Sequence, residues 1–200
     1  AAELAVAEIN DAGGVKVAGT KHLLRLVIED SQGAAQPAAE AAKRLIDQEK
    51  VLAIVGPNAS LGAVPAAQAA AEGKTLLVSP WATTPRVTTD DTGAPRKWVY
   101  RACFPDEFQG KALAKFASGY IKAAKAAILY NPASDAPRSQ AELMKKEFEA
   151  RSGQIVAFET YAAGDKDFSA QMKKSAEAAP DLVYLPSYYS EVPEQLKQAR

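Results

Sequence analysis

Residues 51–60 read VLAIVGPNAS, a short apolar run that ends in a small polar cluster and leads into a helix-like pattern. The same join recurs along the chain at TLLVS–PWATTP (75–85), KAAILY–NPASD (125–135) and DLVYLP–SYYSE (181–191). The runs are apolar without alternation, which is typical of strands buried on both faces of a parallel sheet. Because ligands of such sheets bind outside the carboxyl ends of the strands, the polar clusters are predicted to lie where a ligand binds.

The chemistry of these clusters favours binding over catalysis. They carry hydroxyls, aromatic rings and backbone amides, but no histidine, no cysteine and no paired carboxylates. The whole chain has one cysteine, Cys103, and one histidine, His22. This composition excludes an internal disulfide and any metal site built from several cysteines or histidines. We therefore expect no enzymatic activity, no metal and no cofactor.

The overall composition is that of a globular α/β protein with a sizeable core. The chain has 200 residues, of which 48% are apolar, and its 24 basic side chains are balanced by 24 acidic ones. A net charge of zero gives no field that would recruit nucleic acid or an anionic membrane. No apolar run approaches the length of a membrane span.

Strand and helix patterns alternate regularly. The predicted strands are 22–30, 51–55, 75–79, 97–102, 125–130, 154–160 and 181–186. The predicted helices are 1–10, one starting near Pro37, then 61–72, 107–121, 139–152, 168–179, with Asp167 as N-cap, and 191–200. The two βα sets are separated by Phe104-Pro105. They predict an α/β fold with two lobes, 1–103 and 104–200, each a doubly wound, mostly parallel sheet flanked by helices, with a hinge near 102–106.

The two ends of the chain are unusual for a complete domain. It opens with AAELAVAEIN, already an amphipathic helix, and it closes with SEVPEQLKQAR, a helix pattern without a C-cap or a following strand. These ends indicate an interior piece of a longer protein, with at least one strand before Ala1 and further chain after Arg200.

Six stretches of the sequence resemble, in order and in spacing, the periplasmic substrate-binding proteins of branched-chain amino-acid ABC transporters. They are AAELAVAEINDAGG, IVGPNAS, LLVSPWATTP, YRACFPDEFQG, GDKDFSAQ and VYLPSYYSE followed by QAR. The resemblance implies a two-lobed flytrap that closes on a small molecule, an amino acid or a related carboxylate. It also implies an exported protein, made with a signal peptide, that is periplasmic or else extracellular and anchored to the membrane, and whose partner is the membrane permease of an ABC transporter. No nucleic-acid partner is expected.

Ser60 is the first candidate ligand-binding residue. It lies at the entry to the predicted helix 61–72, where free N–H groups and the positive end of the helix dipole favour an anion. A serine in this position is also a common N-cap, so the pattern by itself leaves both roles open. The resemblance implies that Ser60 holds the α-carboxylate of the ligand.

Residues 81–83 form the second candidate group. Thr83 alone reads as a turn residue, but the resemblance implies that its hydroxyl and amide bracket the α-amino and carboxylate groups of the ligand. Trp81 would contribute its backbone carbonyl, while its indole is either core packing or a wall of the pocket. Ala82 belongs to the same ligand-binding stretch.

The second lobe contributes further candidates. Tyr188 matches a family tyrosine that closes over the ligand, although Tyr184, Tyr188 and Tyr189 could equally form a packed aromatic cluster. Asp106 either contacts the ligand or caps the helix that follows it. Ala136 departs from the family pattern, which has a tyrosine there against the polar head of the ligand. The lost ring predicts a ligand other than leucine, with Trp81 supplying aromatic surface for a flat or bulky side chain.

Other classes of protein are less well supported by the sequence. A dinucleotide-binding enzyme needs a GxGxxG turn, which is absent, and a serine hydrolase needs a GxSxG elbow, whereas GPNAS lacks the second glycine. The serious alternative is a ligand-sensing regulator or receptor domain that uses the same flytrap. A signal peptide would favour the transport role, and a tethering helix or effector domain would favour the sensor.

Overall fold

Two parallel β-sheets with their helices and a small antiparallel hairpin lie within residues 1–199, the part of the chain that the computed structural model describes. The helices are α1 Ala2–Asp11, α2 Ala35–Asp47, α3 Ser60–Glu72, α4 Asp106–Phe116, α5 Asp135–Glu149, α6 Ser169–Glu177 and α7 Val192–Gln198. The strands are β1 Val15–Val17, β2 Thr20–His22, β3 Ala53–Val55, β4 Leu76–Ser79, β5 Val99–Arg101, β6 Lys125–Tyr130, β7 Gln154–Thr160 and β8 Leu182–Tyr184.

The first sheet has the strand order β3-β4-β5, all parallel. Its core lies between β4 and α3, where fully buried Leu77 meets the alanine-rich face of the helix. Alanine side chains are short, so α3 can approach the sheet closely, and α2 packs against α3 in turn. We call this sheet and its helices the first lobe.

The second sheet has the order β7-β6-β8, also parallel, with β6 in the centre. Every residue of β6 after Lys125 is buried, as expected for a strand covered on both faces. The core combines alanines with large side chains, among them Phe148, Met144 and Ile128. We call this sheet and its helices the second lobe.

The two sheets share no strand among residues 1–199, and the fold is the predicted two-lobed α/β architecture. The chain leaves the first sheet at Arg101, the end of β5, and enters the second lobe at Asp106, the start of α4. The exact boundary between residues 103 and 104 stays a prediction.

The predicted strand 22–30 is wrong. Thr20–His22 instead pairs with Val15–Val17 in a small antiparallel hairpin, and residues 23–30 form no strand. A strand exists only through its ladder of hydrogen bonds, and residues 23–30 have no such ladder within residues 1–199. The segment is held by Asn10, whose side chain makes two hydrogen bonds to the backbone of Leu24, at 2.8 and 2.9 Å.

Several helix boundaries also differ from the prediction. The helix predicted at 107–121 is α-helical only to Phe116 and continues as a π-helical turn over Ala117–Ile121. The helix predicted at 139–152 starts earlier, at Asp135, because Pro137 fits the first turn of a helix, where no N–H partner is needed. Asp167 precedes the N-cap position, which is Phe168, although its carboxylate does accept a hydrogen bond from the backbone N–H of Ser169 at 2.9 Å.

Within residues 1–199, no helix combines the length and the apolar character needed to cross a membrane. The same residues contain no cluster of three or more histidine, cysteine, aspartate or glutamate side chains placed to hold a metal ion.

Candidate functional site

A cavity of about 160 Å³ lies between the two lobes. Its walls come from the loops after β3 and β4, the segment after β5, the facing sides of α4 and α5, and the loop after β8. The lining residues are Asn58, Ala59, Ser60, Trp81, Thr83, Cys103, Phe104, Gln109, Ala136, Gln140 and Tyr188. Four predicted site residues, Ser60, Trp81, Thr83 and Tyr188, are therefore brought together from both lobes.

Ser60 is the first residue of α3 and is almost fully buried in the cavity wall. The N-cap position belongs to Ala59, and no side chain caps this helix, so the N-cap interpretation of Ser60 is wrong. Within residues 1–199 its hydroxyl takes part in no hydrogen bond. The amides of Gly62 and Ala63 already bond to the Ala59 carbonyl, which leaves the amides of Ser60 and Leu61 as the free donors of the first turn.

The loop that carries Thr83 is held by its carbonyl groups. The Arg101 guanidinium donates to the carbonyl of Thr83 at 2.7 Å and to that of Ala82 at 3.3 Å. The backbone N–H of Asp106 donates to the same Thr83 carbonyl at 3.1 Å. The carbonyls of Ala82 and Thr83 are thus taken up by hydrogen bonds to Arg101 and Asp106. No hydrogen bond within residues 1–199 uses the amide or the hydroxyl of Thr83. Ala82 is buried beneath the loop and does not line the cavity.

Ser79, at the end of β4, joins the two loops of the first lobe. Its hydroxyl donates to the carbonyl of Pro57 at 3.1 Å and accepts the N–H of Ala82 at 3.3 Å. The side chain is fully buried, so neither bond competes with bulk water. Ser79 therefore fixes the spacing between the loops that carry Ser60 and Thr83.

Aromatic side chains form the apolar part of the cavity wall. The Trp81 indole is 72% exposed and lines the cavity, so of the two predicted roles it is a wall and not core packing. Phe104, in the segment that joins the lobes, also lines the cavity. These rings give the cavity flat apolar surface beside the polar groups of Ser60 and Thr83.

Tyr188 lines the cavity from the loop after β8. Its hydroxyl is buried and has no hydrogen-bond partner in the described part of the chain. The alternative of a packed tyrosine cluster is wrong, because Tyr189 is 93% exposed and makes no aromatic pair with its neighbours among residues 1–199. A buried hydroxyl without a protein partner is available to a ligand or to water.

Asp106 opens α4, and its carboxylate does not cap the helix, whose N-cap is Pro105. The side chain is fully buried and lies outside the lining of the cavity. Its Oδ1 accepts a hydrogen bond from Nε2 of Gln140 at 3.3 Å, while Oδ2 has no partner within residues 1–199. The N-cap interpretation of Asp106 is therefore wrong, and the carboxylate lies directly behind a residue of the cavity wall.

Ala136 occupies the position at which the family pattern has a tyrosine, and the effect of the missing ring on the ligand stays a prediction. Ala136 lies in the first turn of α5 and lines the cavity. Gln140 lies one turn later on the same face of the helix, and Gln109 faces it from α4. The close approach of α4 and α5 depends on Gly110, which has no side chain. A Cβ at this position would lie 2.7 Å from the Cβ of Leu143, which is too close.

Several lining and supporting residues were not predicted from the sequence, namely Asn58, Ser79, Arg101, Cys103, Phe104, Gln109 and Gln140. Asn58 stands within the polar cluster after β3 and could have been found there. Gln109 and Gln140 carry no such signal, because a glutamine on an amphipathic helix normally marks a solvated face.

The family model for periplasmic binding proteins matches residues 1–200. The chain belongs to this family. Members of the family are solute-binding proteins, and the parallel sheets with their flanking helices described above are consistent with that fold.

Curated relatives agree with the family. An amino acid binding protein of Pseudomonas aeruginosa is 29% identical over all of this chain and 51% of its own length. A leucine-, isoleucine-, valine-, threonine- and alanine-binding protein of the same organism is 30% identical over 98% of this chain and 50% of its own length. The chain thus spans about half the length of the curated relatives it matches.

Solved structures agree as well. A leucine-binding protein of Thermotoga maritima superposes with a TM-score of 0.88 and 33% identity, over 98% of this chain and 53% of the other. A branched-chain amino acid transporter substrate-binding protein of Streptococcus pneumoniae, solved with isoleucine, superposes with a TM-score of 0.87 and 33% identity. The superposition covers 99% of this chain and 53% of the other.

Proposed function

We propose that this chain is part of an extracytoplasmic solute-binding subunit of an ABC importer, and that it captures a small carboxylate-bearing ligand between its lobes. The ligand class is an amino acid or a related carboxylate. The location would be the periplasm and the partner the membrane permease of the importer. The names of the relatives support an amino-acid ligand and a role in transport, and the description of the family supports the periplasm.

The observation that carries the proposal is the pairing of Ser60 and Thr83 on one wall of the cavity. Each offers a hydroxyl and a backbone amide that no hydrogen bond within residues 1–199 uses, and both lie at the carboxyl edge of a parallel sheet. The N-terminus of α3 adds the positive end of a helix dipole. Such a set of donors suits a carboxylate, which accepts hydrogen bonds and carries negative charge.

The opposite wall would close over the remainder of the ligand. From the second lobe, Tyr188 offers a buried hydroxyl and Asp106 places a negative charge behind the wall, while Trp81 of the first lobe offers the flat apolar surface of its ring. We propose that these three residues complete the binding site, while Ala82, whose N–H and carbonyl are both hydrogen-bonded within the protein, supports the loop between Trp81 and Thr83.

Replacement of Ser60 by alanine tests the carboxylate assignment. The ligand is first identified by a thermal-shift screen of amino acids and small carboxylates on the full-length protein, since a ligand at a hundredfold excess over its Kd adds about 2.7 kcal/mol to the stability. Calorimetry then measures the variant. We expect Ser60→Ala to weaken binding by about 1.5–3 kcal/mol, the range for a hydrogen bond to a charged group.

Ser175→Ala is the matched control, because Ser175 is equally buried, in α6, and does not line the cavity. It should leave the affinity unchanged. Equal affinity of the wild-type protein and the Ser60→Ala variant would show that the carboxylate is bound elsewhere.

A further inference from the structure

The wall that the second lobe presents to the cavity has two layers. Gln109 and Gln140 line the cavity, whereas Asp106 lies behind them and is inaccessible to solvent. The only hydrogen bond of the Asp106 carboxylate within residues 1–199 is the one from Nε2 of Gln140. The side chain of Gln140 thus stands between a buried negative charge and the ligand space.

The amide of Gln140 is oriented by three neighbours. Its Nε2 donates to Oδ1 of Asp106 and to Oε1 of Gln109, both at 3.3 Å, and its Oε1 accepts from the hydroxyl of Tyr184 at 3.4 Å. Burial, and secondarily the charge of Asp106, raise the pKa of Tyr184, so its hydroxyl stays protonated and acts as the donor. The NH2 group of Gln140 faces Asp106, because an oxygen of a carboxylate accepts a hydrogen bond and the amide nitrogen donates it.

The carboxylate of Asp106 is only half satisfied by this arrangement. Its Oδ2 is buried and has no partner within residues 1–199, which is costly for a carboxylate and favours any cation that can reach it. Ala136, one turn before Gln140, has only a methyl side chain, so it leaves space in the cavity beside Gln140. Gln140 is then the side chain that separates a ligand ammonium from Asp106.

We propose that Gln140 determines ligand selectivity by screening Asp106, so that the second-lobe wall presents a neutral amide to the ligand and accepts carboxylates whether or not they carry an α-ammonium group. This proposal rests on the proposed function, since it requires that the cavity binds carboxylates. It names the ligand class more closely: α-hydroxy acids and simple carboxylates belong to it together with amino acids.

The test is a selectivity ratio measured with matched ligands. L-Phenylalanine and L-3-phenyllactate share the carboxylate and the ring, but the first carries an ammonium group where the second carries a hydroxyl. Leucine and 2-hydroxy-4-methylpentanoate form a second pair with the same difference. Calorimetry on the full-length protein gives the affinity of each ligand. In Gln140→Ala, the preference for the ammonium-bearing ligand should rise by about tenfold over that of the wild type, because the charge of Asp106 then acts across the cavity.

A double-mutant cycle shows whether Asp106 is the source of that change. Asp106→Asn keeps the shape of the side chain and removes the charge, and in this background Gln140→Ala should leave the ratio unchanged. Gln36→Ala is the control, because Gln36 also donates its amide to a carboxylate, that of Glu40, on an exposed helix face. Thermal unfolding of each variant establishes that it is folded.

The outcomes separate this proposal from the proposed function. Ser60→Ala should weaken the binding of both ligands of a pair equally, whereas Gln140→Ala should change the ratio of their affinities. An unchanged or lower ratio in Gln140→Ala would overturn the screening role, as would a tenfold rise that persists in the Asp106→Asn background. Should Gln140→Ala fail to fold, Gln140→Ser, which also shortens the side chain, is subject to the same criteria.

Discussion

The two lobes build their halves of the pocket by different means. The first lobe uses loops at the ends of β3 and β4, where backbone amides and the small hydroxyls of Ser60 and Thr83 face the cavity. The second lobe uses side chains on helix faces, namely Gln109, Ala136 and Gln140. A backbone donor changes only when its loop changes, whereas a side chain on a helix can be replaced alone. We therefore expect the first lobe to bind the carboxylate that all ligands share and the second lobe to determine which ligands are selected.

The cores of the two lobes also differ, in the size of the side chains that they contain. The first core is mainly alanine, with Ala63, Ala66, Ala67 and Ala70 of α3 almost wholly buried. The second core contains larger side chains, including Phe148, packed against β6. Small residues stabilise by close approach of backbones, and large ones by the area that each buries. The stability of the second lobe should therefore depend more strongly on single residues.

The largest expected effect is on stability. Phe148→Ala should lower the free energy of unfolding by about 3–5 kcal/mol, because the ring is fully buried and its removal leaves a cavity. Urea unfolding followed by circular dichroism gives the change. Phe116→Ala is the control, since this ring is half exposed, and its effect should be much smaller. A loss under about 1 kcal/mol in Phe148→Ala would contradict the contrast between the two cores.

A smaller effect concerns the space beside Ala136. With Trp81 on the opposite wall, aromatic amino acids or aromatic carboxylates should bind more tightly than leucine, isoleucine and valine, because unfilled volume costs the lining atoms their dispersion contacts. The expected difference is about 1–3 kcal/mol, the range for filling apolar space. A competition assay measures it. Tighter binding of the aliphatic amino acids than of phenylalanine would refute the idea of a larger ligand.

The smallest expected effect concerns an ion pair that joins the lobes beside the cavity. The guanidinium of Arg86, in the first lobe, lies 2.9 Å from Oδ1 of Asp135, at the start of α5, which also pairs with Arg138 at 2.7 Å. Because Arg86 is half exposed, Arg86→Gln should weaken ligand binding by no more than about 1 kcal/mol. Calorimetry at low and high salt measures the change.

This loss should shrink at high salt, where the wild-type ion pair is screened. Arg138→Gln is the matched control, because it removes a partner of the same carboxylate that lies within the second lobe. A loss of affinity in Arg86→Gln that is independent of salt, or equal to the loss in Arg138→Gln, would contradict this prediction. It would indicate that the ion pair between Arg86 and Asp135 does not favour closure of the lobes on the ligand.

The sequence predicted the strands of the second sheet better than those of the first. The bounds of β6 and β7 agree with the predicted 125–130 and 154–160. The segment 22–30 has an equally clear apolar pattern and forms a strand only at its start. Apolar pattern measures the tendency to be buried, whereas a strand also requires a neighbour with which to share hydrogen bonds.

The candidate site was predictable where it follows from topology. Ser60, Trp81, Thr83 and Tyr188 stand just after predicted strands, and parallel strands bring their carboxyl ends to one edge. Gln109 and Gln140 were not predictable, because their approach depends on how α4 packs on α5 at Gly110. Local sequence patterns contain no measure of the distance between two helices.

The sequence by itself determined most of the alternation of strands and helices, the balance of charge and the loops that line the cavity, because these follow from composition, local hydrophobic period and turn chemistry. Only the tertiary structure decided which side chains face the cavity and which lie behind it. It places Asp106 behind Gln140, leaves the Tyr188 hydroxyl without a partner within residues 1–199, and turns the Thr83 carbonyl away toward Arg101. Those arrangements depend on contacts between residues far apart in the chain, and the free energy of burying each polar group is set by the partners that packing provides.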